Sequence, residues 1–321
     1  MKKNSSKAKR SKHPGLRKAP LASKVISQLR KASKAKVVDI EAIRDAKIKA
    51  DKLDASIIKK EQMEQLDPLH AVYCYAQNKM SVLVEQLAEL PALIRLNNLY
   101  ADAQDEYMPQ GPPISPLTLS YFTCWAFFDL NEGIHKETFG YVATEVCREL
   151  QADSGLISLF EAMNASRMGL YIHEGLSEDF VFLRELVTGK RLKANVPSGH
   201  KGYQGEMWLA RVLPPPWPES GFDYCVVLTT PYVIGKTTGK LFKKFNAMGD
   251  EQGWEAYFDR TLSKIKAEDW AQAYHKLMKY GLSRHYWNEY IFEAYAGHTP
   301  EMIMLTGFPD IASSRPHASE R

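Results

Sequence analysis

Five short β-rich runs stand between two helical regions of this chain. Turn signals such as Thr188-Gly189 and Pro197-Ser198-Gly199 separate them. The runs cover residues 170–174, 179–186, 191–196, 206–213 and 222–234. Short strands at such spacing, divided by turn residues, are typical of small all-β units. We therefore expect residues 169–235 to form a small antiparallel β-sheet or a partly open barrel.

Helical patterns occupy the chain on both sides of this β unit. In residues 37–168, apolar positions recur every three to four residues, and Asp67-Pro68 supplies a helix cap followed by a first-turn proline. Asp153 is a second predicted cap. Residues 236–321 again show helical periodicity with many aromatic side chains, so a C-terminal helical region is expected to pack on the rest. The predicted class is α+β.

Charge is strongly segregated along the sequence. Of 42 Lys and Arg, thirteen lie in residues 1–36, which contain no Asp or Glu, leaving 29 basic against 38 acidic residues in 37–321. A tract with so few large apolar side chains cannot bury enough surface to offset its conformational entropy. We therefore expect residues 1–36 to be a disordered basic tail.

The partner of such a tail is a polyanion. Nucleic acid, an anionic lipid surface and the acidic body of the protein itself all meet that description. Nucleic acid is favoured because the first eighteen residues have no apolar helix face of the kind that membrane-bound helices need. The proposed contacts in the tail are Lys7, Lys9, Arg10, Lys12, Arg17 and Lys18.

A narrow apolar stripe follows the tail. It consists of positions at helical spacing whose intervening residues are mainly Lys, Asp and Glu. A stripe of this width needs a partner surface, either the body of the protein or a second copy of the chain in a short coiled coil. The residues proposed for a protein partner or homodimer are Ile40, Ile43, Leu53 and Ile57, and a scaffold or dimer subunit held by the helix at 40–57 is a further alternative for the function.

A glycine-rich loop inside the β unit is the most unusual local sequence. Residues 197–205 contain three glycines within seven positions, together with His200, Lys201 and Tyr203. Glycine permits close backbone approach, and the three side chains offer charge, proton transfer and a stacking face. We expect these residues to contact nucleic acid, and Trp208 to offer a second stacking face. The alternative is a hairpin connection whose polar residues only face water.

The strand after this loop has a charged residue on an apolar face. Met207, Leu209, Arg211 and Leu213 alternate with Glu206, Trp208, Ala210 and Val212, so the two sets point to opposite sides. If Arg211 is buried among its apolar neighbours, it requires a carboxylate or phosphate partner.

Lysines after the last β-rich run supply further phosphate contacts. The run Val233 to Thr237 ends in Gly-Lys-Thr, as a phosphate-binding loop does. The position of that motif's first glycine is occupied by Thr230, however, and the next residue is Pro231. Proline has no backbone N–H to offer a phosphate, so a nucleotide-binding loop is not predicted. Lys236 and Lys240 are expected to contact phosphates without hydrolysing them.

Catalysis is the main rival to nucleic-acid binding, and the sequence does not decide between them. An enzyme would use a cleft between the helical and β units, with His200 or the line formed by His285, Glu289 and Glu293 at four-residue spacing. These three residues lie away from the apolar arc of their helix, where a solvated face is the usual explanation. No metal site and no cofactor are predicted.

The leading hypothesis is a non-catalytic intracellular protein that binds nucleic acid, or a complex containing it, through the basic tail and the β-unit loops. No apolar run is long enough to span a bilayer. The expected compartment is the cytoplasm, or the nucleus or an organelle if the tail is a targeting signal. The pattern does not distinguish DNA from RNA.

Overall fold

The computed structural model describes residues 20–34, 63–107, 116–234 and 251–280. Within these ranges the chain forms eight α-helices. They are α1 (Leu21–Lys34), α2 (Pro68–Ala88), α3 (Ile94–Tyr107), α4 (Pro116–Phe128), α5 (Phe139–Glu149), α6 (Ser154–Ala165), α7 (Glu251–Leu262) and α8 (Trp270–Tyr280). None of them is both long enough and apolar enough to cross a bilayer.

Side-chain caps satisfy the first backbone N–H groups of two core helices, α2 and α6. The Asp67 carboxylate accepts the backbone N–H of His70 at the start of α2, and Pro68 occupies the first turn. Asp153 caps α6 through the N–H of Leu156 in the same way. Each carboxylate satisfies an N–H group that has no partner within the helix. Both predicted caps are therefore confirmed.

The β unit begins after a two-stranded hairpin, β1 (Asn131–Glu132) and β2 (Glu137–Thr138), that leads into α5. Its own strands match the five predicted runs, the last of which is interrupted. They are β3 (Met168–Ser177), β4 (Phe180–Glu185), β5 (Arg191–Asn195), β6 (Met207–Leu213), β7 (Cys225–Val227) and β8 (Tyr232–Ile234).

These strands close into a five-membered barrel. The pairing order is β3-β4-β5-β7-β6, and β6 pairs with β3 to complete the ring. All pairs are antiparallel except β5 with β7. β8 continues the line of β7 along β6 after a two-residue change of register. The mixed α+β class is thus confirmed, and the β unit is a closed barrel rather than a partly open one.

The barrel wall has two differently occupied sides. One set of side chains fills the lumen, including Val181, Leu183, Trp208 and Ala210. Alternate residues on β3 and β6, among them Leu170 and Leu209, join the large core formed with the helices. β3 and β6 therefore bury both faces, and the two sets of residues predicted for 206–213 do lie on opposite sides of β6.

The expectation of a disordered tail over residues 1–36 is wrong for α1. Leu21, Ala22 and Val25 are buried, and α1 packs against α5. The Glu137 carboxylate accepts the N–H groups of Leu21 at 2.5 Å and Ala22 at 3.0 Å, which places an anion at the positive end of the helix. The high lysine count concealed a short amphipathic segment that the body stabilises.

Several predicted residues lie outside the described ranges. They are the tail cations Lys7, Lys9, Arg10, Lys12, Arg17 and Lys18, the stripe Ile40, Ile43, Leu53 and Ile57, the loop lysines Lys236 and Lys240, and the line His285, Glu289 and Glu293. The proposals made for them stay predictions.

Candidate nucleic-acid interface

The outer wall of β4 and β5 carries a mixed aromatic and cationic surface. Val181, Leu183 and Ala194 point into the lumen, so their neighbours point outward. Cross-strand pairing places Phe180 opposite Asn195, Phe182 opposite Lys193 and Arg184 opposite Arg191. We call these six residues, together with Tyr224, the outer face.

Lys193 lies among aromatic rings at the centre of this face. Its ammonium nitrogen is 4.3 Å from the Phe180 ring centroid and 5.9 Å from that of Tyr224. The Phe180 and Tyr224 rings are themselves 4.8 Å apart in a tilted arrangement. Phe182, which lies opposite Lys193 and two residues after Phe180 on β4, is 39% exposed. Exposed rings beside a cation can stack on bases while the cation meets a phosphate.

Tyr224 is held in place by the helical unit. Its hydroxyl donates a 2.9 Å hydrogen bond to Asp67, the same carboxylate that caps α2. Burial, followed by this hydrogen bond, raises the pKa of Tyr224 to about 12. The Phe222 ring packs edge-on against Tyr224 with centroids 5.7 Å apart. The aromatic part of the outer face is therefore preorganised by contacts made before any ligand arrives.

The cations of the outer face already have carboxylate partners. Glu174 accepts hydrogen bonds from Arg184 at 3.0 Å and from Arg191 at 2.9 Å, and these two contacts lower the pKa of Glu174. Lys193 pairs with Asp223 at 3.1 Å, where the Asp223 side chain is 78% exposed. Exposed pairs of this kind are weak and exchangeable. A phosphate can therefore replace Asp223 at little cost.

The predicted loop residues lie at the end of the barrel nearest Phe180. Tyr203 is 79% exposed, and Lys201 forms a 3.4 Å ion pair with Asp179, in the turn that joins β3 to β4. His200 packs on the Trp208 ring at 5.3 Å between centroids. The structure thus brings the loop and the outer face to one region of the surface, and leaves Tyr203 free to contact a ligand.

Trp208 is not available for stacking on a base, contrary to expectation. It is fully buried in the lumen, between His173 at 5.1 Å and His200 at 5.3 Å, and its indole N–H donates to Glu206 at 2.9 Å. A Cβ on Gly202 would come within 2.4 Å of the Trp208 ring, and the φ of Gly202 is +64°. The loop therefore closes this end of the barrel.

Arg211 has the partner that its sequence position demanded. It is fully buried and donates to Asp129, which lies just after α4, and to the carbonyl oxygen of Ser166 at 3.0 Å. Lys279 of α8 approaches the same carboxylate at 3.7 Å. Burial raises the pKa of Asp129 and, acting on a base, lowers the pKa of Lys279 to about 8. We call Asp129, Arg211 and Lys279 the buried charge cluster.

Sequence reasoning missed the outer face. Phe180, Phe182, Lys193 and Tyr224 were not proposed as contacts, although the alternation in Phe-Val-Phe-Leu-Arg-Glu and Arg-Leu-Lys-Ala-Asn carries the signal. Aligning the two strands as a hairpin would have placed the aromatic residues beside the cations. Tyr224 could not be found in this way, because its neighbours come from distant segments.

Of the residues proposed for catalysis, only His200 lies within the described ranges. His200 lies beside Trp208, with Glu206 at 3.6 Å, and it is absent from the cavity between the helical and β units. Within the described ranges, no group of three His, Cys, Asp or Glu side chains is arranged to hold a metal ion.

Comparison with known proteins identifies no relative. No protein-family model, no curated protein and no solved structure matches this chain.

Proposed function

We propose that this protein binds single-stranded nucleic acid across the outer face of its barrel. The observation that carries the proposal is the position of Lys193 over the Phe180 ring and near Tyr224, beside the exposed Phe182 ring. Bases stack on aromatic rings regardless of sequence, and lysine neutralises the phosphate between them.

The barrel topology supports the same surface. β4 and β5 are the second and third strands of a five-stranded Greek-key ring. OB-fold barrels, which share this architecture, bind oligonucleotides and oligosaccharides on the face of their second and third strands. A shared architecture does not by itself imply a shared ligand, so the proposal depends mainly on the side chains of the outer face.

The basic residues of the first nineteen positions add long-range attraction. Eight of the thirteen tail cations lie in 1–19, ahead of α1. Residues 37–321 contain more acidic than basic residues, 38 against 29, so the outer face alone attracts a polyanion only weakly. In this proposal the tail supplies non-specific affinity, and the outer face, with Tyr203 and Lys201 at its edge, selects unpaired bases.

A binding titration tests the proposal. Fluorescence anisotropy of a labelled 12-nucleotide single strand, in DNA and RNA forms, is measured against a duplex of the same sequence. We expect tighter binding of single strands and affinity that falls steeply with salt. Phe182→Ala should weaken single-strand binding by about 1–3 kcal/mol, and Lys193→Met should also reduce the salt dependence.

Matched variants separate the two contributions. Deleting residues 1–19, and not α1, should weaken single strands and duplex alike, whereas Phe182→Ala should weaken single strands selectively. Tyr75→Ala is the control, because Tyr75 is an equally exposed aromatic residue on α2. Equal loss of binding in Tyr75→Ala and Phe182→Ala, or no loss in either, would show that the outer face is not the binding surface.

A further inference from the structure

A cavity of about 270 Å³ opens at the end of the barrel opposite the 197–205 loop. Its floor consists of lumen residues, namely Tyr171 of β3, Leu192 of β5, Val212 of β6 and Cys225 of β7. Ala162 and Ala165 of α6 and His275 of α8 form the opposite rim. The cavity is therefore a barrel mouth partly covered by helices, a common location for small-molecule sites.

One side of the barrel mouth is fixed by an internal ion pair. Arg167 donates to both carboxylate oxygens of Glu185, at 2.7 and 3.2 Å, and Thr188 donates to the same carboxylate at 2.5 Å. The guanidinium also lies 4.5 Å from the Tyr274 ring centroid. These groups satisfy one another, so they shape the cavity without requiring a ligand.

Two other polar groups at the barrel mouth lack such partners. Within the described part of the chain, no side chain or backbone group forms a hydrogen bond with the Tyr171 hydroxyl, although Tyr171 is only 5% exposed. No carboxylate of the same described residues pairs with the Lys190 ammonium. Lys190 lines the same cavity as Cys225, and its charge opposes the rise that burial causes in the pKa of the Cys225 thiol.

Two ionisable groups that line the barrel mouth have shifted pKa values. Burial, followed by the nearby Glu185 charge, raises the pKa of Tyr171 well above its usual value, so the phenol keeps its proton and acts as a donor. Burial, followed by the nearby Arg167 and Lys279 charges, lowers the pKa of His275 to about 4, so the imidazole is neutral at pH 7. Besides the Arg167–Glu185 pair, whose charges compensate each other, the barrel mouth therefore offers one hydrogen-bond donor, the Lys190 cation and an apolar wall.

We propose that the barrel mouth binds a small organic carboxylate with a flat apolar body, such as an aromatic carboxylate. The carboxylate accepts the Tyr171 hydroxyl proton in a hydrogen bond and pairs with Lys190, while the ring lies against Leu192 and Val212. The volume is slightly below the range of about 300–1,000 Å³ for drug-sized ligands, which limits the body to one or two rings. This site is separate from the outer face and does not depend on nucleic-acid binding.

Calorimetric titration of the full chain with benzoate tests the proposal, with benzamide as the neutral ligand of equal shape. We expect benzoate to bind with one site per chain and at least tenfold more tightly than benzamide, because only benzoate carries the charge that Lys190 pairs with. Equal affinity for the two compounds, or no heat of binding for benzoate at millimolar concentration, overturns the proposal.

Four variants then locate the site. Tyr171→Phe removes only the hydroxyl and should weaken benzoate about tenfold, and Lys190→Met should have an effect of similar size. Ala165→Trp places a large ring at the rim from an exposed helix position and should abolish binding with the fold retained by circular dichroism. Lys79→Met is the control, because the Lys79 ammonium lies over the Tyr75 ring on α2. Benzoate binding that survives Tyr171→Phe, Lys190→Met and Ala165→Trp unchanged would refute the site.

Discussion

The barrel has one wall packed against helices and one wall open to solvent, and the charged residues on the two walls behave differently. On the packed wall, Arg211 is fully buried and donates to the Asp129 carboxylate and to the carbonyl oxygen of Ser166. On the open wall, Lys193 pairs with an Asp223 side chain that is 78% exposed. A buried ion pair cannot exchange partners with water or ligand, whereas an exposed one can.

This difference separates stability from binding. The buried charge cluster joins three distant segments: Asp129 after α4, Arg211 of β6 and Lys279 of α8. It therefore fixes how the helices sit on the barrel. The outer face has the same kinds of charged groups but leaves them available. Substitutions on the packed wall should change folding, and substitutions on the open wall should change ligand affinity.

Removing the buried carboxylate should have the largest effect. Asp129→Asn keeps the shape of the side chain but leaves Arg211 and Lys279 without a counter-charge in the core. Uncompensated buried charge typically costs about 3–5 kcal/mol in the free energy of unfolding. Urea denaturation followed by circular dichroism measures it. A loss below about 1 kcal/mol would mean that the cluster is far more hydrated than its burial indicates.

Two glycines of the 197–205 loop have similar backbone conformations, but one faces the buried Trp208 ring and the other faces open space. Both have positive φ, +64° at Gly202 and +76° at Gly199, but a Cβ at Gly202 would meet the Trp208 ring whereas one at Gly199 meets nothing. Gly199→Ala should cost about 1 kcal/mol through backbone strain alone, and Gly202→Ala about 2–3 kcal/mol because steric overlap adds to it. Equal melting temperatures for the two variants would show that the loop does not close the barrel tightly over Trp208.

The buried charge cluster should also give the protein a characteristic pH dependence. Because the pKa of Lys279 is lowered to about 8, the unfolded chain binds more protons than the folded one between pH 8 and the ordinary lysine value. Stability should therefore rise with pH in that window, by about 1–2 kcal/mol between pH 8 and 9.5. Urea denaturation of wild type and Lys279→Met at several pH values measures the slope. The slope should be lost in the variant, and a wild-type protein that loses stability on the way to pH 9.5 would contradict the assignment.

Local patterns in the sequence predicted much of the fold. The Asp67 and Asp153 caps, the five β-rich runs and the two faces of β6 all depend on neighbours within a few residues. The need of Arg211 for a counter-charge also followed from its strand position. Its partner did not, because Asp129 lies 82 residues earlier and belongs to a segment whose position only the tertiary structure defines.

The errors have a common physical origin in long-range packing. α1 was missed because its lysines dominated the composition, while the surface that stabilises it lies on α5 and β2. Trp208 was expected to stack on a ligand because alternation divides a strand into two faces without saying which one lines the lumen. Closure of the ring by β3 and β6 is likewise a non-local pairing. The outer face depends on these same contacts, so its aromatic and cationic residues were not recognised together.

The smallest effect on stability should come from the exposed pair, and it tests the contrast most directly. Asp223→Asn removes a surface carboxylate and should change the free energy of unfolding by less than about 0.5 kcal/mol. The same change frees Lys193, still beside the Phe180 and Tyr224 rings, to meet a phosphate. We therefore expect tighter binding of a single-stranded oligonucleotide at low salt, measured by anisotropy, with Glu219→Gln as a control for the loss of one negative charge on an exposed residue outside the outer face. If both variants raise affinity equally, the gain reflects net charge alone, and Lys193 has no particular role at the open wall.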